Sequence, residues 1–179
     1  MKRIIFTLVL VASPPTWAED LSQYGTTNPE ELTLNRIVEK ALNGDVDMMV
    51  CASGYLMTKS GRHDKARAVF EACANAGWTV TMNWMSYLDD NGYGGDYDPD
   101  ASTEWDRRSA ELGDVVGKFN YGLDLIRGHG VAQDTELGRK WVDQAADAGL
   151  DIAVRMRDAG YDPDEVTPDA DNWKYAPLF

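Results

Sequence analysis

Four alanine–glycine pairs, each spelled Ala-x-x-Gly, stand at near-regular intervals: Ala41/Gly44, Ala74/Gly77, Ala110/Gly113 and Ala146/Gly149, with steps of 33, 36 and 36 residues between glycines. A period in the mid-thirties with helical patterning inside it is the signature of a helix-turn-helix solenoid. One hairpin cannot bury its apolar face alone and must stack on its neighbours. The predicted fold class is all-α, an α-solenoid of about three repeats with capping helices.

The unit from Gly113 to Gly149 carries further markers: Gly117, Phe119, Gly122, Gly128-x-Gly130-Val131, Asp134, Trp141 and Ala145-Ala146-x-x-Gly149. In these residues it resembles the Sel1-like repeat, a relative of the tetratricopeptide repeat. The unit from Gly77 keeps Asn91-Gly92-x-Gly94, Trp105 and Ala110-x-x-Gly113, but has Asp89 where the family usually has an apolar residue. The unit from Gly44 has a turn three residues shorter, with Ala66 where the last unit has Gly138. The resemblance spans roughly residues 41 to 155. It implies a fold more firmly than an activity.

At the start, Lys2 and Arg3 precede the apolar run Ile4 to Ala12, and Thr16-Trp17-Ala18 offers small residues at the positions a signal peptidase reads. This order predicts a cleaved export signal over residues 1–18 and a periplasmic or secreted mature chain beginning at Glu19. The apolar run is too short for a stable membrane span. Cleavage leaves 15 basic against 30 acidic residues, a net charge of −15 in place of −13 for the full chain. Nucleic acid is excluded as a partner by the lack of basic clusters. The acidity reads first as a solvated surface that discourages self-association, and alternatively as a field that steers a partner with a basic surface.

Residues 19–27 form a polar lead-in. The solenoid is expected over 28–160, opening at Asn28-Pro29-Glu30-Glu31 with a cap, a first-turn proline and two helix-favouring carboxylates. The first hairpin, with helices near 45–58 and 63–76, holds both cysteines, Cys51 and Cys73. Their mean position falls at the turn, so an antiparallel hairpin sets them at one height on facing helices. In an oxidising compartment that favours a disulfide over two buried thiols.

The second unit has a long acidic turn, in which Asp96, Asp98 and Asp100 imitate the start of a calcium loop. Pro99 interrupts it, Ala101 replaces the required glycine and Arg107 the bidentate glutamate, so calcium is not expected. Asp98 instead reads as a helix cap with Pro99 in the first turn, and Asp134 as its counterpart in the third unit. Trp105 and Trp141 lie 36 residues apart and read as equivalent packing residues. In the C-terminal segment, 161–179, Asp162-Pro163 opens a short helix. Trp173, Tyr175, Leu178 and Phe179 carry too much apolar surface for a solvated tail, which makes it a cap on the fold or a partner-binding segment.

No catalytic set is legible and no cofactor is expected. His63 and His129 both fall in or beside turns, outside any nucleophile, zinc or phosphate motif, and read as solvated turn residues. The resemblance implies an exported protein-interaction scaffold: a regulator, assembly factor or inhibitor of another exported protein. The alternative is an enzyme or small-ligand binder acting on cell-wall-type compounds. Stacked hairpins present their first helices on the concave face. The expected partner surface is therefore Trp84, Tyr87 and Asp89 in the second unit and Tyr121 and Asp124 in the third, with Trp173, Tyr175 and Phe179 in the tail; Trp84 and Tyr121 read equally as core residues.

Overall fold

The structure, a computed structural model, describes residues 33–166. The expected export signal, the lead-in, the helix start at Asn28 and the tail aromatics Trp173, Tyr175 and Phe179 lie outside the described residues. The chain divides between Thr33 and Leu34, and every helix below belongs to the C-terminal unit. These helices are α1 (Leu34–Leu42), α2 (Met48–Lys59), α3 (His63–Asn75), α4 (Thr79–Asn91), α5 (Pro99–Glu111), α6 (Val115–Arg127), α7 (Thr135–Asp147) and α8 (Asp151–Asp158), followed by a 3-10 turn at Pro163–Glu165. Among the described residues there is no strand. Each helix packs on the next in sequence, so α2/α3, α4/α5 and α6/α7 are three stacked hairpins, with α1 against the first and α8 against the last.

The Ala-x-x-Gly pairs are helix stops. Gly77 N–H donates to the Ala74 carbonyl and Trp78 N–H to that of Cys73, at 3.0 and 3.1 Å. The same two bonds recur at Gly113 and Gly149, and each glycine has the positive φ that this ending requires. The alanines are buried at the seam between helices. The starts are equally local: the carboxylates of Asp47, Asp98, Asp114 and Asp134 each accept from a backbone N–H three residues on, at 2.8 to 3.0 Å. Pro99 occupies the first turn of α5 as expected.

Cys51 on α2 and Cys73 on α3 form a disulfide with Cα atoms 5.9 Å apart. The bond sits in an apolar cluster running from Ile37 and Val50 through Phe70 to Met82 and Leu88 of α4. A second apolar cluster begins at Phe119 of α6 and runs through Val142, Ala153 and Met156 to Val166. Between them, the inward side of α5 is polar: Ser102, Thr103, Asp106 and Ser109 are all buried. The two apolar cores are therefore separated by a polar layer at the junction of the second and third hairpins.

The expected short helix after Asp162 is the 3-10 turn, with Asp162 accepting from Asp164 N–H at 3.0 Å. Trp105 packs against the first apolar cluster with Arg108 over its ring at 4.4 Å. Trp141 meets Tyr121 edge-on at 5.9 Å. Both tryptophans are packing residues.

Candidate functional site

The first helices α2, α4 and α6 line a groove of about 720 Å³. Helical periodicity aims Val80, Asn83, Trp84 and Tyr87 of α4 into it, between Thr58 and Lys59 of α2 and Val116 and Asn120 of α6. Trp84 anchors the wall. Its ring stacks on Phe70 at 5.7 Å and meets Tyr55 and Tyr87 edge-on at 5.4 and 5.6 Å. Tyr87 is 43% exposed and leans on Tyr93, which in turn stacks on His63 at 4.6 Å. Beyond Trp84 an apolar cleft of about 460 Å³ opens, framed by Met48, Tyr55, Trp78 and Val80.

The opposite end is polar. A pocket of about 270 Å³ shares Asn83, Tyr87 and Asn120 with the groove and adds Asp90, Asp106, Asp124, Arg127 and His129. Asp106 is 3% exposed. Ser86 Oγ donates to its Oδ2 at 2.5 Å and Asn120 Nδ2 to its Oδ1 at 3.1 Å, so one carboxylate joins α4, α5 and α6. Burial pushes its pKa up to about 7 against those two donors, with help from the charges of Asp90 and Asp114. Asp124 is pushed up to about 8, by burial first and the Asp106 charge second. Its Oδ2 is buried with no hydrogen-bond partner. Asp114 goes the other way: burial raises it, but Gly117 N–H, Asn83 and Thr79 together hold it below the ordinary carboxylate range.

The residues expected at the partner surface do not all share it. Trp84 and Tyr87 line the groove, and Asp124 lines its polar end. Asp89 is not a surface acid: it is 5% exposed and holds Arg67 Nη1 at 2.7 Å. The apolar position it replaces points inward, so the carboxylate is buried and needs a cation. Tyr121 lies one residue past Asn120, a turn of about 100° around the helix, and packs on Trp141 of α7 instead of lining the groove. Neither histidine is merely solvated. His63 lies under Tyr93, and His129 Nε2 meets Asp90 Oδ1 at 2.6 Å across the junction.

Asp106 was missed, although the repeat marks it. One period away in either direction stand Phe70 and Val142. These pack on Gly54 and Gly122 of their own hairpins. In the middle hairpin the corresponding contact is Ser86 to Asp106. Among the described residues, no group of three or more His, Cys, Asp or Glu side chains is placed to hold a metal ion, and no helix is long and apolar enough to cross a membrane.

No family model matches the sequence, and a search of curated proteins finds no match. Among solved structures, a Sel1 repeat protein from Oxalobacter formigenes is similar at 22% identity and a TM-score of 0.54, over 60% of this chain and 42% of that one. Helicobacter pylori cysteine rich protein B is similar at 16% identity and a TM-score of 0.55, over 68% of this chain and 89% of that one. The chain thus spans less than half of the first protein and most of the second. At these identities the likeness is one of fold, and the fold is the Sel1-like repeat solenoid.

Proposed function

We propose that this solenoid is an exported interaction scaffold that holds a segment of another exported protein in the groove along α2, α4 and α6, as a regulator, assembly factor or inhibitor. The observation that carries the reading is the aromatic wall. Tyr55, Trp84, Tyr87 and Tyr93 touch one another in series, and Tyr55 and Tyr87 remain 43% exposed. Large aromatics held by their neighbours and still accessible lose little entropy on binding, and they dominate binding energy at protein interfaces. The apolar cleft beside Trp84 extends this surface. Exposed Asp90 at the other end, with the acidic chain as a whole, favours a partner that offers arginine or lysine.

Export is supported by the disulfide, which is stable in an oxidising compartment such as the periplasm. The charge and small-residue order of the first 18 residues supports the same reading. Binding is favoured over catalysis because aromatic rings wall the groove, and its carboxylate Asp114 is already engaged by Thr79, Asn83 and the Gly117 N–H.

A photo-crosslinking residue placed at Tyr87 in cells should trap a partner from the exported fraction. Affinity for that purified partner should fall at least tenfold in Tyr87→Ala, with folding unchanged by circular dichroism. Unchanged affinity in a folded Tyr87→Ala, together with unchanged affinity in Tyr55→Ala, would remove the groove from consideration.

A further inference from the structure

The apolar core stops at the α4/α5 hairpin and resumes at α6, and the layer between is held by carboxylates instead of hydrocarbon. In the flanking hairpins a glycine on the first helix receives an apolar side chain of the second: Gly54 meets Phe70 and Gly122 meets Val142. In the middle hairpin Ser86 meets Asp106, and Ser102 lies 3.1 Å from the Ser86 hydroxyl. The same carboxylate reaches Asn120 of the next hairpin. Thr103 donates to the His129 carbonyl at 2.8 Å across that junction. In a stack of hairpins, stability is a sum of unit and interface contributions. Such a junction responds to protons as no apolar junction can. A protonated Asp106 keeps its contacts by donating to Ser86 Oγ, which then donates to Ser102 Oγ. A charged one accepts from Ser86 and Asn120 but loses more to burial than those two donors return.

We propose that the junction of the second and third hairpins is a proton-operated joint: it is tight while Asp106 and Asp124 hold protons and loosens when both are charged, so that the groove floor above it keeps its shape in mild acid and gives way in mild alkali. The groups facing the pair leave it short of cations. Asp90 of α4 and Asp114 at the start of α6 add negative charge and His129, in the turn after α6, meets Asp90, while the Thr103 hydroxyl and Arg127 at the end of α6 favour a charged Asp124 by less than burial opposes it. The buried Oδ2 of Asp124 has no hydrogen-bond donor, an arrangement that costs a charged carboxylate more than a neutral one. Both acids are held above the ordinary carboxylate range, so the folded chain keeps protons that the unfolded chain loses near pH 4. The stability they contribute is fully present below about pH 4 and is lost as pH rises through their folded values of about 7 and about 8. Asp114 and Glu104, held below that range, lose their contribution only as pH falls through the acid limb, outside this window. Any effect on a bound partner rests on the groove reading. The joint does not, and it is tested without a partner.

The full mature chain is melted at intervals from pH 5 to pH 8, as wild type, Asp106→Asn, Asp124→Asn and Asp106→Val, the last carrying the residue found one period on. The wild-type melting temperature should fall by at least about 5 °C across this range. The slope should flatten in each variant that folds. Carbon-13 spectra of the wild-type aspartate carboxyls provide a readout that needs no variant: two should titrate above pH 6. Amide exchange, corrected for its chemical pH dependence, should rise with pH in α5 and α6 and stay level in the disulfide-linked α2 and α3. Carboxyls that all titrate near pH 4, a slope unchanged in the variants, or opening spread evenly over the helices would each overturn the joint.

Discussion

A methyl group on Gly130 would run into the Pro99 carbonyl, and one on Gly94 would lie 2.6 Å from the His63 carbonyl carbon. Both residues have positive φ, and both dock the turn after a first helix onto the start of the preceding second helix. The close approach is thus part of the repeat. Gly130→Ala should lower stability by about 3 kcal/mol or more, since it combines left-handed strain with a clash against backbone. Gly149→Ala meets nothing within 4 Å and should lose only about 1–2 kcal/mol, from φ alone. Urea midpoints of the two variants check both; equal losses would mean that the turn contact is immaterial. At this scale the sequence was most legible where the partner is a near neighbour. Asp98 and Asp134 cap helices three residues away, and the reading of both holds. It was least legible where the partner comes from another hairpin: Arg67 beneath Asp89, Tyr93 over His63 and Asp90 against His129. Such pairings are set by stacking, and no local pattern announces them.

Among elements, the disulfide gives the first hairpin a constraint the other two lack. Its partners are 22 residues apart in sequence. Closing a loop of that size stabilises by about 3 kcal/mol on the chain-entropy view. A Cys51→Ala, Cys73→Ala double variant should lose close to that amount, with some added cost for the cavity left between α2 and α3. Urea unfolding measures the loss, and amide exchange should show it concentrated in α1 to α3. An even loss over all helices would show that the hairpins unfold as one unit. Helix bounds and hairpin pairing were legible because Ala-x-x-Gly is itself a stop, with its hydrogen bonds closed inside six residues. The polar inward stripe of α5 was not recognised. Its serines and Asp106 look like a solvated helix face until aligned one period away with Phe70 and Val142. For Tyr121 the period alone left a packing role and a surface role both open, because one residue along a helix changes the face; its ring meets Trp141.

For the whole molecule, the net charge, −13 for the full chain and −15 without the expected export signal, extends beyond any single contact. A partner drawn to the groove meets the field of the entire chain first and the aromatic wall last. These two stages respond differently to salt, because the field is screened over a Debye length of about 10 Å at 0.1 M and about 3 Å at 1 M, whereas aromatic burial is not. Association with the partner trapped at Tyr87 should therefore slow about tenfold or more between 20 mM and 500 mM sodium chloride, while dissociation changes by less than about threefold. Tyr87→Ala should do the reverse, speeding dissociation and leaving the salt dependence of association intact. Stopped-flow mixing or surface-immobilised binding separates the two rates. An association rate indifferent to salt would mean that the acidity serves solubility alone, and the partner would then be sought among proteins without a basic face. Salt-dependent dissociation would instead place an ion pair inside the bound interface, at the polar end of the groove, where Asp90 is the exposed carboxylate.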